Sequence, residues 1–407
     1  MSLVARRMHT AASLPQRYTV LDSFRGLCAL LVVVFHLHLW QGFSEWALFR
    51  ASGLLVEFFF TLSGFVLAWR YRDADFSLRD FRQFMLARTF RIVPLHLATL
   101  AAMLLLLVLR FGVAGDSLDD SLAWLTPAAG EQLAWQLLLL QAWWPGANPF
   151  AFNGPAWSIS VEFYLYVAFG LLLLLAGRRQ RLWLLLTALA CALAVLVQAP
   201  FTGSGAFRGL NCFVLGALAQ HAYQHWRARP SRPFPRSGMI LGNALEVLAL
   251  ALVTAVLLLS LPAKSYLATW VFVAAILVFA AERGRLSRWL GKAGFVQLGH
   301  WSFSIYLTHY PVLQAVKLLL QALAALGGPN WLFYDPASQL LYFRSGSAAG
   351  DSLLGLLILA AVLAVSRLSH RWIEQTGMLA GRQLNARLDG PQQRVTGLAL
   401  ADAARKG

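Results

Sequence analysis

The sequence predicts an all-α polytopic membrane protein with about ten transmembrane helices, both termini in the cytoplasm, and one short re-entrant or interfacial helix. Three observations lead to this prediction. Of the 407 residues, 58% are hydrophobic and only 13% are charged, which is typical of a chain surrounded mostly by lipid. Apolar runs of about 20 residues, the length of a membrane-crossing helix, recur along the chain. Basic residues concentrate in the gaps between these runs.

Ten apolar runs are long enough to cross a hydrocarbon core of about 30 Å. They cover residues 20–40, 54–70, 93–113, 157–176, 181–198, 208–225, 238–260, 264–281, 301–324 and 352–372. The first run contains Asp22, Arg25 and His36 and has no small-residue cleavage site. We therefore expect it to remain as a helix, because a signal peptide has an uninterrupted apolar core.

The distribution of charge predicts the orientation. Lys and Arg exceed Asp and Glu by 34 − 18 = 16, and most basic residues fall on one side if the short run 132–144 does not cross the membrane. A crossing there would divide the basic loops between the two sides, against the positive-inside rule. The excess charge thus indicates orientation, and we expect no nucleic-acid partner.

The predicted domains follow from these runs. Residues 1–19 are a cytoplasmic N-terminal segment, and residues 20–374 are the membrane domain. Residues 375–407 form a polar cytoplasmic tail without an apolar period, which we expect to be disordered. Cys28, Cys191 and Cys212 lie inside apolar runs without paired spacing, so we expect neither a disulfide nor a metal site.

Ionisable residues inside the first span predict a functional site. A charge at the bilayer centre costs at least about 2.5–3.5 kcal/mol. Arg25 and His36 are eleven residues apart, so they lie on one helix face within about 20° and are separated by about 16 Å along the axis. Asp22, one turn before Arg25, can hold its guanidinium group. Alone, Arg25 could be an interfacial arginine and His36 a hydrogen-bonded core residue.

Two further elements carry charge. Glu57 lies near the outer end of the second span, where Ser63 and Gly64 form a small pair that would also serve helix packing. Arg88 and Arg91 are three residues apart, on one helix face at the predicted cytoplasmic side. Guanidinium groups in this arrangement suit phosphate oxygens, although binding of anionic lipid is an equally good interpretation.

The chain from Asn153 to Glu162 is a turn followed by a helix start. Glu162 lies about five residues inside its span, near the predicted depth of His36, where a carboxylate could fix the tautomer of an imidazole. It could instead pair with an arginine. His309, two residues before Pro311, lies in the inner half of the ninth predicted span, and both a structural and a functional role are open.

Taken together, these motifs resemble acyltransferase family 3, the integral-membrane acyltransferases of sugars and other envelope acceptors. The resemblance covers about residues 18–374. It rests on Leu21–Gly26 with His36, Glu57–Phe65, Arg88 with Arg91, Asn153–Glu162 and Ser302–His309. The sequence departs from the family at Glu374-Gln375-Thr376, because many members have Glu-x-Pro after the last helix. A fused esterase-like or transferase domain is not expected.

The resemblance implies transfer of an acyl group, usually acetyl, from cytoplasmic acyl-CoA to a hydroxyl of a glycan or other envelope acceptor, in the cell's inner (plasma) membrane. It implies no permanently bound cofactor, with acyl-CoA as co-substrate. Arg25, Arg88 and Arg91 would bind acyl-CoA. His36 would act as general base or accept the acyl group first, and Glu162 would orient it. Supporting residues would be Asp22, Glu57, Ser63, Asn153, Trp157, Ser158 and His309.

Two rival functions remain from other classes. A transporter or flippase of a glycan or lipid intermediate would also need many helices and intramembrane charges. It should show inverted repeats and broken helices in matching halves, and no such pair is visible in the sequence. An inactive, sensor-like membrane protein would more readily have lost Arg25 or His36.

Overall fold

The computed structural model describes residues 18–71, 75–114, 127–227 and 237–389. This part of the chain is a bundle of α-helices with one small β-hairpin. The helices are α1 Thr19–His36, α2 Ala47–Arg50, α3 Leu55–Arg70, α4 Leu78–Ala114, α5 Pro127–Leu137, α6 Trp157–Ala176, α7 Gln180–Leu196, α8 Gly205–Arg227, α9 Ser237–Leu258, α10 Lys264–Ala280, α11 Arg285–Leu290, α12 Ala293–Ala325, α13 Ala348–Ser369 and α14 Gln375–Leu388. Each predicted span coincides with one of them.

The helical membrane fold is confirmed, whereas the number of crossings stays a prediction. Within the described ranges, six helical segments are long and apolar enough to cross a bilayer. They are Thr19–His36, Ala47–Arg70, Leu78–Arg110, Gly154–Ala176, Met239–Leu258 and Ala348–Leu388. Two shorter apolar helices, Gln180–Leu196 and Lys264–Ala280, add to them.

Glycines allow the central helices to pack at backbone distance. A Cβ on Gly64 of α3 would lie 2.0 Å from the carbonyl oxygen of Phe213 in α8, and a Cβ on Gly216 of α8 would lie 1.9 Å from that of Thr61 in α3. A Cβ on Gly299 of α12 would likewise lie 2.2 Å from the carbonyl oxygen of Asp22 in α1. Small residues are used like this where membrane helices cross closely. These crossings bring α1, α3 and α12 into one core.

The short run 132–144 is only partly helical. α5 has 11 residues and is about 16 Å long, which is too short to cross a bilayer. The chain then reverses, and the rings of Trp135 and Trp144 stack with their centroids 4.6 Å apart. Gln136 donates from its side-chain amide to the carbonyl oxygen of Ala151 at 2.9 Å. This length agrees with the predicted non-crossing segment.

A β-hairpin lies where the sequence predicted only a connection between helices. Strands β1 Leu332–Asp335 and β2 Leu340–Phe343 pair antiparallel. The backbone N–H of Phe343 donates to the carbonyl oxygen of His38, and that of Trp40 donates to the carbonyl oxygen of Phe343, both at 2.9 Å. The hairpin is a small addition to the predicted all-α fold, and four-residue strands leave no signal in a search for 20-residue apolar runs. The hairpin covers the end of α1.

The predicted disordered tail begins with an ordered helix instead. A π-helical turn, His370–Glu374, leads directly into α14, which packs on α4. Gly381 lies against the side chain of Phe90, and Asp389 accepts from Arg79 at 2.9 Å and Arg82 at 2.7 Å. Packing on α4 stabilises this polar helix although its sequence lacks an apolar run. Residues 390–407 and 1–17 lie outside the described residues.

Candidate active site

A small cavity lies between α1, α3, α6 and α12. Its volume is about 40 Å³, enough for a few water molecules. Its polar lining consists of Arg25, Ser63, Ser158, Glu162, Ser302 and Tyr306. Phenylalanine side chains from α3 and α12 complete the wall. Three of the predicted site elements, from α1, α3 and α6, therefore meet at one place.

Glu162 is the centre of a polar network in this cavity. Its Oε1 accepts a hydrogen bond from Ser63 Oγ at 3.2 Å and another from the hydroxyl of Tyr166, one turn further along α6. The guanidinium group of Arg88 lies 5.1 Å from the centroid of the Tyr166 ring. Cation–π contacts of this kind hold an arginine in place without neutralising it. Arg88 is thereby oriented towards Glu162 through Tyr166.

Arg91 lies among carboxylates. It interacts electrostatically with Glu374, Glu162 and Asp22. Glu374 accepts from Ser304 Oγ at 2.8 Å. It also contacts His370 Nδ1 at 2.9 Å, so the π-helical turn is tied to this network. The predicted arginines Arg25, Arg88 and Arg91 thus gather around Glu162, and we call this set with the cavity the arginine side.

His36 lies at the end of α1 and pairs with a second histidine. His36 Nδ1 is 2.9 Å from the carbonyl oxygen of Val32. A carbonyl only accepts, so Nδ1 carries the hydrogen and the lone pair of the ring lies on Nε2. His309 Nε2 is 3.3 Å from His36 Nδ1, and His309 Nδ1 is 3.2 Å from the carbonyl oxygen of Ile305. His309 is fully buried, whereas His36 is partly exposed.

The expected contact between Glu162 and His36 is not formed. In the described structure no hydrogen bond joins these two residues, and Glu162 belongs to the arginine side. The reason is the entry of α6. Asn153 donates to the carbonyl oxygen of Leu307 at 3.2 Å, and Ala156 is fully buried. Because the preceding turn already lies inside the bundle, Glu162 of the first turns of α6 reaches the cavity, beside Ser63 and Tyr166.

His309 takes the position beside His36 instead. The sequence predicted it in the inner half of a span beginning at residue 301, but α12 begins at Ala293. His309 is therefore about 24 Å along its helix, at the level of the end of α1. Tyr306, one turn earlier, lines the cavity, and its ring centroid is 5.9 Å from that of His309. Tyr306 is the side chain between the two regions.

The other predicted residues have structural partners. Glu57 is 3% exposed and forms an ion pair with Arg208 of α8 at 3.1 Å. Ser158 Oγ donates to the hydroxyl of Tyr306 at 2.7 Å. Trp157 packs over Gly205 at the start of α8. Glu57 therefore joins α3 to α8, away from the cavity lining. Asp22 interacts electrostatically with Arg91. Its predicted contact with Arg25 stays a prediction.

Three functional candidates escaped the sequence. Tyr166 follows Glu162 by four residues, a spacing that could have indicated their hydrogen bond. Tyr306 lies inside the Ser302–His309 motif but had no assigned role. Arg50 had no signal, because its role depends on chain reversal: its guanidinium donates to the carbonyl oxygens of Val34 and Phe35 at 2.8 and 2.6 Å. It holds the end of α1, where the last carbonyls have no helical partner.

The predicted absence of a metal site stays a prediction. Among the residues that the structure describes, no group of three or more His, Cys, Asp or Glu side chains could hold a metal ion. The three cysteines are free and buried. The described site consists of arginines, carboxylates, hydroxyls and imidazoles.

Charged and polar side chains gathered inside a bundle of apolar helices are typical of an integral-membrane protein with an internal functional site. Residues 18–371 match the family described as an acyltransferase domain, acyltransferase family 3. The chain belongs to this family and is an enzyme that transfers acyl groups from a donor to an acceptor. The family and the apolar helices together indicate a multi-pass membrane protein.

Two curated proteins are among those similar to this chain in sequence. Acyltransferase MdmB from Streptomyces mycarofaciens is 29% identical, in an alignment that covers 91% of this chain and 95% of that protein. Protein 2 in the picA locus of Rhizobium radiobacter is 32% identical over 156 residues, covering 36% of this chain and 78% of that protein. No solved structure matches the chain.

Proposed function

We propose that the protein transfers an acetyl group from cytoplasmic acetyl-CoA to a hydroxyl of a glycan or other envelope acceptor, in the inner membrane. The charge pattern of the loops supports an orientation with the arginine side towards the cytoplasm and His36 towards the outer surface. Donor and acceptor would then enter from opposite sides. The acyl group would pass between them inside the bundle.

The arginine side supports donor binding. Acyl-CoA carries several phosphates, and guanidinium groups bind phosphate oxygens through two hydrogen bonds. Arg88 lies over the ring of Tyr166 and Arg91 lies among carboxylates, so the orientation of these two groups costs little further entropy on binding. Arg25 lines the cavity between them and His36. The axial distance of about 16 Å from Arg25 to His36 is comparable to the length of a thioester arm. That arm would run past Tyr306 to reach His36.

His36 supports the chemical step as a general base. Its Nε2 would take the proton of the acceptor hydroxyl while the hydroxyl oxygen attacks the thioester carbonyl carbon. When the tetrahedral intermediate collapses, the C–S bond breaks and His36 gives that proton to the leaving CoA thiolate. His309 would hold the ring of His36 in position throughout. No metal or redox partner is needed for this balance.

The observation that carries the proposal is the pairing of His36. Its Nδ1 is engaged by the carbonyl oxygen of Val32 and by His309 Nε2, which leaves Nε2 as the basic nitrogen. Proton transfer requires an imidazole ring that is held in one orientation, with one nitrogen free to accept the proton. A general base of this kind accelerates reactions by on the order of 10²–10⁴-fold.

The test is acetyl transfer in isolated membranes. Membranes containing the chain should move labelled acetyl from acetyl-CoA to envelope glycans, detected by mass spectrometry of those glycans. His36→Ala should lower the rate by on the order of 10²–10⁴-fold at equal protein level. His225→Ala is the matched control, because His225 is an exposed histidine near the end of α8. Full transfer by His36→Ala would contradict the proposed mechanism, and no transfer by the wild type would contradict the function.

A further inference from the structure

A second cavity lies further along α12, beyond His309. It has a volume of about 110 Å³ and lies between α4 and α12, next to β2. Its polar lining consists of Arg110, Gln314, Lys317 and Gln321, and Leu341 of the hairpin forms one wall. The remaining lining is apolar. The cavity is therefore basic and amphipathic, and nothing in the proposed acetyl transfer so far uses it.

Lys317 has no carboxylate partner among the described residues. Its Nζ lies 5.5 Å from the ring centroid of Phe343, a contact that leaves the positive charge in place. The first two acids that follow α12 in the chain have other partners: Asp335 accepts from Ser338 Oγ at 2.7 Å, and Asp351 accepts from Ser345 Oγ at 2.8 Å. A half-buried cation inside a membrane bundle is costly. An anionic ligand would offset that cost.

A polar stripe of α12 connects this cavity with His36. Tyr310, Gln314, Lys317 and Gln321 are spaced by four, three and four residues, so they lie on one helix face. The ring centroid of Tyr310 is 6.1 Å from that of His36, and its hydroxyl is hydrogen-bonded to Gln314. Lys317 also interacts electrostatically with His36. A ligand held at Lys317 could thus extend along hydrogen-bonding groups to His36.

We propose that this cavity is an acceptor subsite that binds an anionic oxygen group, a phosphate or carboxylate, through Lys317 and Arg110. The inference rests on the proposed function, since it names the chemistry of the acceptor. The anionic group orients the acceptor so that a hydroxyl further along the molecule reaches His36. The same chemistry could come from a soluble anion or from the headgroup of an anionic lipid, and the experiment separates these sources.

The experiment measures anion-dependent stability of the purified full chain in nanodiscs. Inorganic phosphate, at constant ionic strength against chloride, should raise the melting temperature of the wild type in phosphatidylcholine by a few degrees, because a ligand stabilises the state that binds it. Lys317→Gln should lose most of this shift. Lys264→Gln is the matched control, since Lys264 donates to the carbonyl oxygens of Leu257 and Leu259 and should keep the shift.

A second arm replaces part of the phosphatidylcholine with phosphatidylglycerol. A shift that depends on Lys317 and appears only with phosphatidylglycerol supports the anion site and identifies a lipid headgroup as its source. Equal shifts in the wild type and both variants, or no shift in any arm, overturn the proposal. Binding is measured without turnover, so this failure leaves the His36→Ala test intact. Conversely, a Lys317-dependent shift with no acetyl transfer would keep the anion site and contradict the proposed function.

Discussion

The arginine side differs from the region around His36 and His309, which we call the histidine side, in the kind of group that each holds. On the arginine side, Arg91 lies among three carboxylates and Glu162 accepts from two hydroxyl groups. On the histidine side, His36 is paired with another imidazole and a backbone carbonyl. The charged groups near His36 are the cations Arg50 and Lys317. The arginine side holds permanently charged groups in place, whereas the histidine side surrounds His36, which must gain and lose a proton in the proposed reaction.

This difference indicates how the two substrates would be handled. Paired guanidinium groups can exchange a carboxylate for a phosphate without a change in protonation, which suits a polyanionic donor. On the histidine side, both partners of His36 are uncharged hydrogen-bond acceptors, which orient the ring without pairing it with an ion. The histidine pair therefore replaces the carboxylate–histidine pair that the sequence predicted.

The largest expected effect that would sharpen this comparison comes from His309. His309→Ala removes the partner of His36 Nδ1, and the loss of a buried hydrogen-bonding partner should lower kcat by on the order of 10- to 100-fold with little change in KM for acyl-CoA. His309→Gln, which can still accept from His36, should recover part of the rate. A similar loss in both variants, or a change in KM alone, would show that His309 does not position His36.

The second effect should appear only in donor binding. Arg25→Ala and Arg88→Ala each remove a charge-assisted contact, so the apparent KM for acyl-CoA should rise by about tenfold more than that for the acceptor. Steady-state kinetics with each substrate varied in turn measures this. Arg367→Ala is the control, because Arg367 is an exposed arginine near the end of α13. A change in acceptor KM alone would remove these arginines from the donor site.

A smaller effect should decide to which region Glu162 belongs. Glu162→Gln and Tyr166→Phe each weaken the same hydrogen bond, and both should change KM for acyl-CoA by about threefold. The pH profile of kcat should keep its shape in both variants. If Glu162 instead acted on His36, Glu162→Gln would shift the pH profile and Tyr166→Phe would not.

The smallest effect concerns the edge of the arginine side. The hydrogen bond from Arg79 holds the pKa of Asp389 below its usual range. A carboxyl with a lowered folded pKa stabilises the fold above its unfolded pKa of about 3.9, and this contribution is lost as pH falls through the lower folded value. Asp389→Asn should therefore lower the melting temperature by about 1–2 °C at neutral pH. The difference from the wild type should vanish in strong acid, and a constant difference would contradict this assignment.

The sequence determined the helical elements and the residue types of the site. Twenty-residue apolar runs located every helix that was predicted to span the membrane, because burial of a helix in lipid depends on local composition. The spacing of Arg25 and His36 within α1 follows from helix geometry alone. The cost of intramembrane charge pointed to Glu162, and the shared helix face of Arg88 and Arg91 predicted a pair that suits phosphate oxygens.

Only the tertiary structure decided which of these residues meet. The partner of His36 depends on where α12 begins and on how closely α1 and α12 cross. The position of Glu162 in the cavity depends on the turn before α6, which is buried inside the bundle. The hairpin and the packing of α14 on α4 likewise rest on contacts between residues far apart in the chain. Local periodicity reports on which residues face away from water, whereas pairing between helices is set by backbone approach at a few glycines and by the entry points of the helices.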